Sequence, residues 1–257
     1  MTIRRLAVKR IDNIDYVGKG NPEQRLDLYL PDAEIFPVFI YFHGGGIESG
    51  HKAGDFFFED LQNQGIAVIS AEYRMYPQAV YPEFIRDAAS AVAWAKKHMG
   101  EYGNITGIFV GGSSAGGYIT QMLCFDKRFL AVHQIDADEI NGYVMDAGQP
   151  TVHFNVLRER GIDSKRVIID EAAPIYHITA GREYAPMQVI VSERDIPNRY
   201  AQTQLMLGTL EDMGMDMSKV DYRYMVGCSH CQYINVRNEA GEYIFSKMIR
   251  EFILKHV

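Results

Sequence analysis

Apolar positions follow two different registers along this chain. Arg25-Leu26-Asp27-Leu28-Tyr29-Leu30 alternates cleanly before Pro31. That is the pattern of a half-buried strand, and the looser alternation of the first twenty residues extends it into an antiparallel sheet edge. Phe36-Pro37-Val38-Phe39-Ile40-Tyr41-Phe42 is instead a continuous apolar run, as a strand buried on both faces requires. Residues 65–71, 108–110, 140–145, 187–192 and 221–226 read as further strands. Between them the period lengthens. Phe84, Ile85, Ala88, Ala89, Val92 and Ala95 recur at helical spacing behind Pro82, which suits a first turn. Trp94 belongs to the packing of that helix. Helix is also predicted over 118–124 and 199–213, and Ile244, Phe245, Met248, Ile249, Phe252 and Ile253 share one face of a last helix. Strands alternating with helices predict an α/β fold with a mostly parallel sheet covered on both faces. In such sheets ligands bind beyond the carboxyl ends of the strands.

Composition narrows the picture. With 257 residues, 47% of them apolar, the chain can bury a large core. It reads as a single domain over 1–257, with the weakly periodic stretch 147–186 as a small cap or loop excursion. The formal charge of −7 argues against a nucleic-acid partner, since phosphate binding needs a basic face. The N-terminal run from Met1 to Arg10 carries charge with no apolar stretch behind it, and no segment approaches the roughly 20 apolar residues of a membrane span. A cytoplasmic protein with no membrane partner is expected, as a monomer or a homo-oligomer. Three cysteines do not make a disulfide scaffold. Cys228 and Cys231 form C-x-x-C around His230, but no second pair completes a zinc site, so free thiols and no metal are expected.

The candidate chemistry sits after the predicted strands. Gly112-Ser113-Ser114-Ala115-Gly116 fits G-x-S-x-G between a strand and a helix, the setting in which a serine is presented on a sharp turn. The glycines let neighbouring backbone approach closely. Gly117 and Tyr118 follow where a phosphate loop would need Lys and Ser/Thr. A serine hydroxyl needs a base within hydrogen-bond reach, an imidazole is the natural one, and a carboxylate must orient it. Ser114, Asp195 and His230 run in the order Ser…Asp…His, each just after a predicted strand. Asp195 is preferred as the acid over Asp146, which follows the preceding strand, and over Glu193 in the same loop. His43-Gly44-Gly45-Gly46 closes the buried run at 36–42, and consecutive glycines free backbone N–H groups for an oxyanion.

Taken together, His43-Gly44-Gly45-Gly46, Tyr73-Arg74…Tyr81-Pro82, Gly112 to Gly117 and Arg25 to Pro31 resemble the α/β-hydrolase superfamily. The branch they are most similar to is that of the hormone-sensitive-lipase-like esterases and the small acetyl-xylan and feruloyl esterases. The resemblance implies an α/β-hydrolase fold with an eight-stranded sheet, and Ser114 as nucleophile with His230 and Asp195. It also implies an oxyanion hole made by the N–H groups of Gly45, Gly46 and Ala115. The implied activity is hydrolysis of short-chain acyl esters, with acetylated or feruloylated carbohydrate as substrate and no cofactor. An amide hydrolase, arylformamidase-like or peptidase-like, and a non-catalytic binding protein on the same fold are the alternatives. Tyr73, Tyr76, Tyr81 and Glu48 are read either as lining the mouth or as packing. Ile47 stands where an aromatic commonly follows the glycines, and Cys231 where glycine often follows the histidine.

Overall fold

The alternating segment forms β2 (Arg25–Leu30) in the computed structural model, which describes residues 9–53 and 56–257. It lies in the antiparallel margin of the sheet as its pattern predicts, but it is buried rather than half-buried. β1 (Lys9–Asp15) takes the edge, β2 pairs antiparallel with β1 on one side and with β4 (Ala67–Ala71) on the other, and every residue of β2 after Arg25 is buried. Long-range partners explain the difference. Asp27, which alternation directs to solvent, meets Lys52 Nζ at 3.0 Å and Arg10 Nη2 at 3.2 Å. Tyr29 packs on Phe58 of α1 (Phe57–Asn63), a helix with no counterpart in the sequence reading. Of the charged N-terminal run, the first eight residues lie outside those described.

The remaining strands are β3 (Ile35–Phe42), β5 (Asn104–Ser113), β6 (Gly142–Asp146), β7 (Met187–Arg194) and β8 (Val220–Ser229). They complete one eight-stranded sheet in the order β1-β2-β4-β3-β5-β6-β7-β8, parallel from β4 to β8. Apart from Ile35 at its mouth, β3 is buried throughout, as a continuous apolar run demands.

Helices cover both faces. On one lie α2 (Glu83–His98) and α3 (Ala115–Phe125), joined by α4 (Arg128–Ala131) and by Met206 and Leu210 of α6 (Arg199–Asp212). On the other, α1 packs against α7 (Ile244–Lys255), whose Phe245, Met248, Ile249, Phe252 and Ile253 are buried as their spacing predicts. Lys96, Lys97 and His98 close α2 where its dipole favours cations. Every residue of α3 is buried, the polar Thr120 and Gln121 included, so the helix sits in the interior rather than on the surface. The stretch 147–186 carries α5 (Phe154–Glu159) and one 3-10 turn, Pro174–His177. It leans on the carbonyl ends of the strands, with Asn155 Nδ2 donating to Gly46 O at 3.1 Å. No described helix is long and apolar enough to cross a membrane.

Candidate active site

Ser114 occupies the turn between β5 and α3 with φ 56° and ψ −109°, a region that side chains rarely adopt. Two features hold it there. Its own N–H donates to Asp146 O at 2.8 Å, tying the turn to β6. Helix α3 then starts so close to β3 that a Cβ on Gly116 would come within 1.9 Å of Phe42 O. The strained residue is therefore clamped by backbone on both sides, which is how such a conformation survives in a folded chain.

The structure brings Ser114, His230 and Asp195 into one hydrogen-bonded line. His230 Nε2 lies 2.9 Å from Ser114 Oγ, and Nδ1 lies 2.6 Å from Asp195 Oδ1. A carboxylate only accepts, so Nδ1 carries the proton and Nε2 is left to accept from the serine hydroxyl. Asp195 follows the last residue of β7 and has a side chain 1% exposed. Burial alone would raise its pKa. The hydrogen bond and charge of His230, with N–H donation from Ser192 and Ile196, overcome this and hold it below the ordinary carboxylate value. Ser192 Oγ donates to Ser229 O at 2.8 Å, so the loop carrying the acid is fastened to the strand end carrying the imidazole.

The glycine loop after β3 faces the same point. The cavity at Ser114, about 370 Å³, is lined by Gly44, Gly45, Gly46, His230 and Cys231 among others. Within the described residues, no hydrogen bond uses the N–H of Gly45, Gly46 or Ala115. Gly45 has φ 110°, and a Cβ there would stand 2.0 Å from Ser49 O. His43 anchors the loop from behind. Its Nδ1 is 2.7 Å from Gly44 O, its Nε2 is 3.1 Å from Glu72 Oε1, and its carbonyl accepts from the Tyr73 hydroxyl at 2.8 Å. Burial pushes Glu72 up, but His43 and the Lys52 N–H pull it net below its ordinary value. Sequence reasoning missed Glu72. Its signal is position, the first residue after β4 and beside the end of β3.

Other candidates fall elsewhere. Asp146 is fully buried at the end of β6 and takes its hydrogen bond from the Tyr233 hydroxyl rather than from His230. Burial raises its carboxyl to about 6, against the pull of the Ser113 and Tyr233 hydroxyls and the His230 charge. Glu193 accepts from Gly227 N at 2.7 Å between β7 and β8. Tyr73 is wholly buried, Glu48 pairs with Arg158, and Tyr81 donates to Glu171 O, so these three act in packing and bracing rather than at the mouth of the serine cavity. Cys231 has φ 55°, the left-handed conformation that accounts for glycine being common after such a histidine. The described residues hold no cluster of three or more His, Cys, Asp or Glu able to bind a metal.

Known proteins share this architecture. Esterase LipC of Mycobacterium tuberculosis is 27% identical over 235 residues, which cover 82% of this chain and 57% of LipC. Versiconal hemiacetal acetate esterase of Aspergillus parasiticus is 28% identical over 215 residues, covering 79% of this chain and 64% of its own. In eight such curated relatives the match spans between 21% and 64% of their length. Among solved structures, esterase B from Lactobacillus rhamnosis superposes with a TM-score of 0.77 at 17% identity, over 96% of this chain and 85% of that one, a likeness of fold. The model of the BD-FAE family matches residues 26–157, just over half of the chain and the part that holds both the glycine loop and the serine turn. The chain belongs to the BD-FAE family of α/β-hydrolases.

Proposed function

We propose that the protein is a serine carboxylesterase acting on short-chain acyl esters, acetylated or feruloylated carbohydrates among them. The observation that carries this reading is the line Asp195–His230–Ser114, with contacts of 2.6 and 2.9 Å, ending beside N–H groups engaged by nothing else among the described residues. In the reaction, Ser114 Oγ attacks the ester carbonyl while His230 Nε2 takes its proton. Negative charge gathers on the carbonyl oxygen, where the N–H groups of Gly45, Gly46 and Ala115 receive it. His230 then gives the proton to the leaving alcohol, and a water molecule repeats the relay to release the acid from Ser114. Asp195, kept ionised, balances the imidazolium in both halves.

The size of the serine cavity supports a short acyl group. The names of LipC and of the versiconal hemiacetal acetate esterase support an ester over an amide. A p-nitrophenyl ester series from acetate to octanoate, with fluorophosphonate labelling, tests the proposal. Turnover should be greatest at the short end, and label should attach at Ser114. Ser114→Ala should lose the label and about a millionfold in kcat, as triads acting as a unit do. A folded wild-type protein that takes no label and cleaves no ester would overturn the reading.

A further inference from the structure

A second cavity, of about 360 Å³, opens beside the candidate active site, and its walls are cationic. Lys165, Arg166 and Arg199 line it together with Gln149, Asn198 and Gln202, and no acidic residue lines it among the described residues. None of the three cations forms an ion pair among the described residues, in a chain whose acids outnumber its bases 33 to 26. Arg199 is the most informative. It is 2% exposed, and its guanidinium has only neutral acceptors, Ala147 O and, at 3.4 Å, Gln149 Oε1. Burial lowers its pKa to about 10, which leaves it charged at neutral pH. Asp195 and Asp146 support its charge from nearby, but neither pairs with it, and a buried cation held beside open space without an ion-pair partner is costly to maintain. The same cavity receives the N-terminal end of the fourteen-residue helix α6, which no side chain caps.

Its position ties it to the reaction. Ile196 and Pro197, which directly follow Asp195, form part of its wall. Phe154 forms another part, and that ring also stands against Gly46, where a Cβ would meet Phe154 Cζ at 3.0 Å. One aromatic ring thus separates the cationic cavity from the glycine loop.

We propose that this cavity is a carboxylate subsite, selecting esters whose acyl chain ends in a second, ionised carboxyl group that reaches past Phe154 to Arg199, Lys165 and Arg166. The proposal rests on the esterase reading for its consequence in turnover, but not for the binding of the anion. A different role for Arg199, a charge that merely biases Asp195 and Asp146, would slow all esters alike.

The test compares hydrolysis of monoethyl glutarate and ethyl pentanoate, which match in carbon count and differ by the carboxylate, followed by proton release at constant pH. Calorimetry with glutarate runs in parallel. The wild-type protein should favour the anionic ester by about tenfold or more in kcat/KM, mainly through KM and less at high salt, as charge-assisted contacts imply. That preference should fall about tenfold in Lys165→Ser/Arg166→Ser, whose positions are exposed, and further in Arg199→Met. Glutarate affinity should fall in step. If Arg199→Met fails to fold, the double variant decides. Equal losses for both esters, or glutarate binding unaffected by either variant, would overturn the subsite. Glutarate bound and weakened by the variants with no ester cleaved would retain the subsite and remove the esterase reading. Both esters cleaved equally with no glutarate bound would do the reverse.

Discussion

Replacing Asp146 by Asn should make the protein more stable at pH 8 and remove a specific pH dependence of folding. The carboxyl is fully buried; one oxygen accepts from Tyr233 and the other, Oδ2, has no well-formed partner. Burial raises its pKa from 3.8 to about 6. Because the folded value lies above the unfolded one, the native state holds the proton more tightly. The stabilising contribution is therefore complete below pH 3.8 and is lost as pH rises through about 6. At about 1.4 kcal/mol per pH unit, the interval amounts to about 3 kcal/mol. Most of the change falls between pH 4 and 7. For a chain of this size it corresponds to roughly 6–12 °C in Tm. An asparagine keeps an acceptor for Tyr233 without the charge. Calorimetric melting of both proteins at pH 4, 5, 6, 7 and 8 should give a difference that grows steadily in favour of Asp146→Asn and levels off above pH 7. A difference flat across that range would refute the argument, since it would mean that the buried group carries the same charge throughout.

Asp195→Asn should act in the opposite sense. It should cost about four orders of magnitude in kcat by leaving the imidazole in the wrong tautomer, and because the folded pKa is depressed, the stability tied to its ionisation should vanish as pH falls below the ordinary aspartate value, measured by acid denaturation of the two proteins. Gly116→Ala should fail to accumulate as folded protein or melt far lower, since the added methyl group meets main chain at Phe42 rather than a side chain that can move; far-ultraviolet circular dichroism and melting test this. Glu72→Ala should cost about 2–4 kcal/mol in urea unfolding, because it strands the His43 ring and the Lys52 N–H in the interior. It should also reduce kcat more than KM through a loosened glycine loop.

What could be read before the structure, and what could not, divides by the range of the forces involved. The apolar run of β3, the helical face of α7 and the glycines around Ser114 state their environment locally, because burial on two faces, a 3.6 period and a backbone clamp each restrict the residues at the position itself. The burial of β2 does not, because Asp27 becomes an interior residue through Arg10 of the neighbouring strand and Lys52, which arrives on a distant loop. The same holds for Asp146 against Asp195. Both stand at the carboxyl ends of parallel strands and both are acids, so one-dimensional order ranks them but cannot separate them. What separates them in space is Tyr233, whose hydroxyl occupies Asp146, while the Nδ1 of His230 meets Asp195. Tyr73 makes the point from the other side: an aromatic beside the candidate site reads equally as a wall of the mouth or as packing, and its single hydrogen bond to His43 O decides for packing.

Arg199 belongs with these long-range cases, and it links them. Burial depresses its pKa while Asp195, and to a lesser degree Asp146, supports its charge from nearby without forming an ion pair with it. Each carboxylate is committed elsewhere, one to an imidazole and one to a phenol. The cation is thus held by the field of the site and by neutral acceptors, but is paired with neither carboxylate. An anionic substrate group entering from the cavity side would complete its coordination and would not compete with His230 for Asp195. That separation lets charge selectivity be added next to a Ser-His-Asp arrangement without disturbing the hydrogen bond at Nδ1 on which its tautomer depends.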